Sequence, residues 1–506
     1  MSNKSKAIKN ILTSAIGQIM TIILGLVVPR LFIMSFGSEV NGLLNSINQF
    51  LVYLGLFEAG VGTVTLQALY KPVAVEDKDD INSILAATNR YYKKTGTFYL
   101  LGLIVFSLVY SVFVKSNINV VQTFLIIIFS GLPNVILFYF QGKYKLLLQA
   151  EGKNYIITNL TTIITTLTGL SKILLLYLNV PVIVIVFVGM LISLVQFVYI
   201  MLYIKKKYKW IDLNVEEKPR ALNQKNFALI HQFSFLIFHN TDVLLLTMFC
   251  DLKIVSVYSV YRMITSNLEN LMNIFSGSVN FALGQLFQID KKQYQKQIDV
   301  FESLYSSMVY TCFSVALFLF IPFITLYTDG INDINYVDRK LAVLFVAVSV
   351  LTLARTPMLF TINFAGHFKL TTPQSITETV INLVVSLVCI QLWGIYGVLL
   401  GTVCALVYRT NDIIIYANKK ILDRSCLHTY AVHLINVVLL LTFQLVYSLL
   451  FKSINNYFVF GAYAIIMVLA TLAVYVFAHM VFFKDCREFV KTFLLTKLFN
   501  KKGKEI

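Results

Sequence analysis

Apolar runs long enough to cross a bilayer recur fourteen times along this 506-residue chain, separated by short polar turns. About 20 consecutive apolar residues span the hydrocarbon core as a helix, in which each backbone N–H and C=O is satisfied within the segment. The pattern predicts helices over residues 8–34, 41–69, 92–114, 120–141, 156–178, 182–204, 227–250 and 254–283. It predicts six more over 301–328, 341–365, 373–393, 395–417, 430–451 and 458–483. The polar gaps are too short for a soluble domain: about a dozen residues at 329–340 and about twenty at 205–226. The fold class is therefore an all-α polytopic membrane protein with about 14 transmembrane helices.

The basic residues orient this bundle. With the amino terminus in the cytoplasm, every even-numbered helix returns the chain to that side. Of the 42 lysines and arginines, 33 then fall on cytoplasmic turns and ends, Arg409 among them. Only Lys115, Lys253, Arg339, Lys340 and Lys452 fall on outer turns. This asymmetry is the positive-inside rule, and it places both termini in the cytoplasm. The net charge of +17 is thus a matter of topology and of attraction to anionic lipids, and nucleic acid is not an expected partner. The first run is too long for the apolar core of a signal peptide and lacks an A-x-A-like cleavage site, so it is expected to remain as a helix. The six cysteines show neither paired nor metal-type spacing, so no disulfide, metal or cofactor is expected.

The 205–226 connector divides the chain after the sixth helix. At an offset of 215 residues, Val40 meets Val255, Gly62 meets Gly277 and Thr63 meets Ser278, which aligns the second and eighth helices. Six helices separate the two segments, so the repeats run in the same direction, as in transporters whose halves rock about an axis along the membrane normal. The expected organisation is an N-terminal six-helix lobe (1–204), a cytoplasmic connector (205–226), a C-terminal six-helix lobe (227–417), and an accessory helix pair with a basic tail (418–506).

Charges that interrupt the apolar runs carry the functional information, because each costs about 2.5–3.5 kcal/mol at a helix centre on insertion scales. The basic ones are Arg30, Lys172, Arg262 and Arg355, and the acidic ones are Glu58, Asp242, Glu269 and Glu378. Equal numbers of each sign permit internal pairing. Arg262 and Glu269 share a helical face but stand about 10.5 Å apart along the axis, so each is expected to pair with another helix. Lys172 and Arg30, toward the outer ends of their helices, can snorkel to the interface. Two polar stripes point to a wet interior: Asn41, Asn45, Asn48, Gly55, Glu58, Gly62 and Thr65 on the second helix, and Thr158, Thr161, Thr162, Thr165, Thr168, Ser171 and Lys172 on the fifth. The six histidines are scattered and are expected mostly to pack at helix ends, with His239 the one candidate for a proton path beside Asp242.

Three segments resemble a known family. FGSEVNGLLNSINQFLVYLGLFEAGVGTVTLQALYKP, residues 36–72, combines a G-x-x-x-x-G outer turn with L-x-E-x-G-x-G and a terminal Y-K-P. ARTPMLFTINFAGHFKLTTPQSITETVINLVVSLVCIQLWGIYGVLLGT, residues 354–402, carries R-x-P, A-G-x-F-K, I-N-L-x-x-S and G-I-x-G-V-x-x-G-T. TDVLLLTMF followed by VYSVYRMI lies between them. Together these resemble polysaccharide exporters, the lipid-linked oligosaccharide flippases of the multidrug/oligosaccharidyl-lipid/polysaccharide (MOP) superfamily. The resemblance implies two six-helix lobes facing a central cavity and alternating access. It implies a substrate of undecaprenyl-pyrophosphate-linked oligosaccharide, moved from the inner to the outer leaflet of a bacterial cytoplasmic membrane for capsule, exopolysaccharide or O-antigen synthesis.

On that resemblance Arg30, Arg262 and Arg355 sit at basic positions of family-like segments and are assigned to the pyrophosphate, with Lys172 added although no sharp motif surrounds it. Arginine suits this role because its fork bonds phosphate in a bidentate manner. Glu58, Asp242, Glu269 and Glu378 are assigned to gating or ion coupling, with a proton gradient, a sodium gradient or the membrane potential as driver. Glycan polymerase and glycosyltransferases of the same pathway are the implied protein partners. The alternative is a multidrug/cation antiporter of the same fold, which would favour an acidic, aromatic cavity. An enzyme is not expected: no outer gap is long enough for a catalytic loop, and the chain lacks G-x-x-x-x-G-K-[ST] and H-E-x-x-H.

Overall fold

The computed structural model describes residues 3–55, 61–114, 116–216, 240–367, 369–450, 454 and 456–492, and all regular structure among them is helical. In chain order the helices are α1 (Asn3–Leu54), α2 (Val61–Ala74), α3 (Lys78–Phe113), α4 (Val120–Ala150), α5 (Asn154–Tyr177), α6 (Val182–Lys207) and α7 (240–249). They continue as α8 (Leu252–Ile289), α9 (Lys291–Tyr327), α10 (Arg339–Phe364), α11 (Thr372–Trp393), α12 (Ile395–Ile421), α13 (Leu427–Leu450) and α14 (Tyr457–Phe482).

Eleven of the described helices are long and apolar enough to cross a membrane. The three remaining sequence-predicted spans each have a reason for falling short. The first runs on into the second within α1, to residue 54, and residues 61–69 of the second belong to α2. Only residues 240–250 of the seventh are described, and the helix there, α7, is too short to count. The eighth, α8, carries Arg262, Asn267, Glu269, Asn270 and Asn273 and is too polar to pass by composition.

The G-x-x-x-x-G turn explains how α1 holds two spans. Gly37 adopts φ 82°, ψ 171°, a conformation that side chains with a Cβ rarely take, and it breaks the helix direction there. Five residues later, a Cβ on Gly42 would lie 1.8 Å from the Leu252 carbonyl oxygen at the start of α8. Beside it Asn41 donates to Ser256 Oγ at 2.7 Å, a contact across 215 residues, the offset that aligns the second and eighth helices. Gly42→Ala is expected to cost about 1–3 kcal/mol through overpacking. Thermal unfolding of the purified protein checks this, and unchanged stability would show that α1 and α8 do not pack as closely as drawn.

The chain forms two compact units, Met1–Ser259 and Val260–Ile506. The division falls later than the 205–226 connector because α7 and the first turns of α8 pack with the first unit. Thr247 donates to Ser46 Oγ at 2.8 Å, and Tyr53 bonds Thr241 at 3.0 Å. One core of the first unit gathers Leu43, Ile47, Tyr99, Leu103, Ile126 and Ile127 from α1, α3 and α4. A second gathers Leu69, Leu85, Leu147, Ile200 and Ile204. The connector, described as far as residue 216, lies against α3: Asn82 donates to the Trp210 carbonyl at 3.2 Å, and Ser83 bonds the Glu216 carbonyl. Tyr208 donates to Glu151, and burial together with that carboxylate pushes its phenol above the usual tyrosine range. Lys143, counted on a cytoplasmic turn, is 5% exposed on α4 and donates to Asn89 Oδ1 at 2.7 Å.

In the second unit α11 and α12 form a tight hairpin, in which Asn382 donates to Thr402 at 2.9 Å and Ser386 to the Val398 carbonyl at 3.2 Å. α10 is interrupted at Arg355, two residues before Pro357, which lacks the N–H that an unbroken helix would use. The accessory pair α13–α14 packs on α9 through polar contacts: Tyr475 bonds Ser314 at 2.9 Å, and Gln444 donates to the Ser314 carbonyl at 2.8 Å.

Candidate functional site

In the first unit the two polar stripes meet at a cavity of about 300 Å³. α1 contributes Asn41, Asn45 and Asn48, α5 contributes Thr168 and Lys172, and α6 contributes Ser193. Pro29 of α1 and Pro133 of α4 also line it, so two of the prolines inside helices stand at the cavity wall. The earlier part of the α5 stripe does other work. Thr162 abuts Gly17 of α1, where a Cβ would come within 2.5 Å of its hydroxyl, so this threonine serves helix packing.

Lys172 gives the cavity its character. Among the described residues no Asp or Glu lines it, and none pairs with the Lys172 ammonium. An ammonium surrounded by asparagine and hydroxyl groups in a partly enclosed space has polar solvation without a counter-charge. Such a site recruits an anion, because pairing removes much of the cost of holding the charge out of bulk water.

Asp242 is buried nearby in sequence terms on α7, where Tyr258 of α8 donates to its Oδ2 at 2.8 Å. Arg30 lies on α1, half-buried, beside Pro29. Glu58 and His239 lie outside the described residues.

In the second unit the intramembrane charges form a network built on α10. Arg262 donates to Glu269 Oε1 at 2.8 Å, contrary to the expectation that each would pair with another helix. The separation of about 10.5 Å is along the axis between backbones. Two long side chains on one face, two turns apart, lean toward each other and close it. Ser349 of α10 donates to the same Oε1 at 2.7 Å. About one and a half turns further along α10, Arg355 donates to Glu378 of α11 at 2.7 Å. Arg409 of α12 lies 3.5 Å from the other Glu378 oxygen, pairs with Asp412 and donates to Ser375 Oγ at 3.0 Å. The side chains of Arg355, Glu378 and Arg409 are 12%, 9% and 5% exposed, whereas Arg262 keeps 33%.

This arrangement of helices has solved counterparts. An inward-closed structure of the lipid II flippase MurJ matches with a TM-score of 0.69 at 14% identity, over 94% of this chain and 99% of that one. An inward-facing multidrug resistance transporter of the MATE family, in the MOP superfamily, matches with a TM-score of 0.62 at 13% identity, over 81% of this chain and 98% of the other. The fold is that of the MOP-superfamily transporters. A MATE structure in a bent conformation matches at 0.52, with 13% identity over 86% of this chain and 98% of that one. No protein-family model matches the sequence, and no curated protein matches it significantly. At such low identity the MOP likeness is one of fold.

Set on the MOP fold, the structure brings Arg262 to Glu269 and Arg355 to Glu378, and it sets Lys172 apart in a cavity with the asparagine stripe. It adds one residue that the sequence reading put on a cytoplasmic turn. Arg409 lies inside α12, and the signal was available: residue 409 falls within the predicted 395–417 run. It also gathers three histidines that looked scattered, because His428 and His433 of α13 and His479 of α14 face α9.

Proposed function

We propose that this protein is a flippase that moves undecaprenyl-pyrophosphate-linked oligosaccharide from the inner to the outer leaflet of a bacterial cytoplasmic membrane by alternating access. The observation that carries this reading is the Lys172 cavity, cationic and, among the described residues, free of lining carboxylates. A pyrophosphate matches it in charge, and the asparagine stripe offers amide donors to phosphate and sugar oxygens. The MOP fold and its match to a lipid II flippase agree with a lipid-linked substrate. Arg30 and Arg262 are proposed as further phosphate ligands, Arg262 because its guanidinium keeps accessible surface while paired. Arg355 contributes only by exchanging Glu378 for phosphate. Glu58, Asp242, Glu269 and Glu378 are the proposed gating or ion-coupling groups, driven by protons, sodium or the membrane potential. Polymerase and glycosyltransferases of a surface-glycan pathway are the proposed partners, and both termini are placed in the cytoplasm.

A strain lacking the gene, and lacking any paralogue, is expected to accumulate lipid-linked repeat units on the cytoplasmic leaflet while its susceptibility to cationic drugs is unchanged. Normal surface glycan together with lost dye efflux would overturn the proposal in favour of a multidrug/cation antiporter, which the MATE likeness also accommodates.

A further inference from the structure

A second group of ionisable side chains is buried in the second unit, where α9 meets the α12–α13 turn, α13 and α14. Arg424 of the turn donates to Asp299 of α9 at 2.7 Å. One turn along α9 stands Glu302, whose side chain is 0% exposed. Its Oε2 accepts from Thr429 Oγ1 at 3.2 Å and lies 3.1 Å from His428 Nδ1, which is also 3.6 Å from Asp299. Glu302 Oε1 is sealed and has no hydrogen-bond partner among the described residues, and the same is true of both ring nitrogens of His433 and of His479 Nδ1. His433 and His479 lie within electrostatic reach of Glu302. Tyr294 and Tyr310 of α9 also face the cluster, the first bonded to Thr361 and the second against the His433 ring.

The charge count decides what this cluster holds. Arg424 balances Asp299. Glu302 then stands as one uncompensated carboxylate if His428 is neutral, and an isolated buried charge is too costly to persist. One proton, shared between the Glu302 carboxylate and the His428 imidazole, restores neutrality. A divalent cation would overshoot it and leave a net positive charge beside Arg424.

We propose that Glu302 and His428 form a proton-binding site, and that the bound proton clamps the accessory pair α13–α14 onto α9. The proton neutralises the carboxylate and keeps the His428–Glu302 bond across that packing. Its loss leaves a bare buried charge that is relieved only when water enters between the helices. The stability that the site lends is therefore present at acidic pH and lost as pH rises through its titration. For a single proton, the opening equilibrium of the accessory pair changes by about tenfold per pH unit over that range.

Hydrogen–deuterium exchange of the full-length protein in lipid nanodiscs, corrected for the intrinsic pH dependence of exchange, tests this. In the wild type, protection of residues 427–449 is expected to fall by about tenfold per pH unit between the titration of the opened cluster and that of the closed one, and to level off above. Glu302→Gln, a neutral isostere, is expected to keep protection at all pH values. His428→Lys, a permanent cation, is expected to do the same, and it covers the case in which the glutamine variant fails to fold. Three outcomes would overturn the proposal: a wild type with no such dependence, variants that retain it, or a stoichiometric metal in the purified protein whose removal by a chelator, at constant pH, loosens the same helices.

Discussion

Replacing Lys172 with methionine is expected to weaken binding of undecaprenyl diphosphate by about tenfold to a hundredfold while leaving binding of neutral undecaprenol unchanged. A hydrogen bond to a charged group contributes about 1.5–3 kcal/mol, and each 1.4 kcal/mol is a factor of ten. Methionine keeps the length and apolar stem of the side chain, so the cavity walls stay packed and only the ammonium is lost. Lys172→Arg should retain binding and Lys172→Glu should abolish it, since a carboxylate among Asn41, Asn45 and Asn48 would meet phosphate with like charge. Native mass spectrometry of the detergent-solubilised protein with the two lipids reads the difference. Equal losses for both lipids would mean that the substitution damages the fold, and no loss for either would remove Lys172 from the site.

The second large effect belongs to Glu378. Its carboxylate answers both Arg355 and Arg409, so Glu378→Ala leaves two buried guanidiniums with one acidic partner, Asp412. Removing one member of a buried ion pair costs about 3–5 kcal/mol because the remaining charge is stranded. A large drop in the apparent unfolding temperature is expected for Glu378→Ala. Replacing Arg355 by Met and Glu378 by Leu together should recover most of the loss, since an apolar pair of similar volume is often neutral or stabilising. The double variant also separates two roles. If it is stable yet fails to restore glycan export to a deletion strain, the pair serves transport. If it is stable and functional, the pair serves packing alone.

Much of the plan was legible along the chain. Hydropathy sums the transfer cost of consecutive residues, and a helix in lipid satisfies its own backbone, so the apolar runs mark helices without reference to their neighbours. The same logic flagged Arg262, Arg355, Glu269 and Glu378, whose cost is local. The G-x-x-x-x-G motif was readable as a turn, and Gly37 supplies it with φ 82°. The polar stripes were readable as faces turned from lipid, and both contribute residues to the cavity that contains Lys172.

Pairing was not legible. Glu378 meets Arg355 across 23 residues, and His428 meets Glu302 across 126. Nothing in hydropathy distinguishes a histidine at a lipid-facing helix end from one facing a buried carboxylate. Arg262 and Glu269 show the converse: axial distance alone argued against a pair that side-chain length allows.

The sequence alone thus determined that this protein crosses a membrane many times, which helices carry charge, and which faces are polar, because each of these is a cost or preference set residue by residue. Only the tertiary structure decided that, among the described residues, Lys172 stands without a carboxylate while Arg262, Arg355 and Arg409 do not, and that Glu302 is enclosed with histidines. A buried charge is stabilised or stranded by what other helices bring within a few ångströms of it, and that proximity is a property of packing.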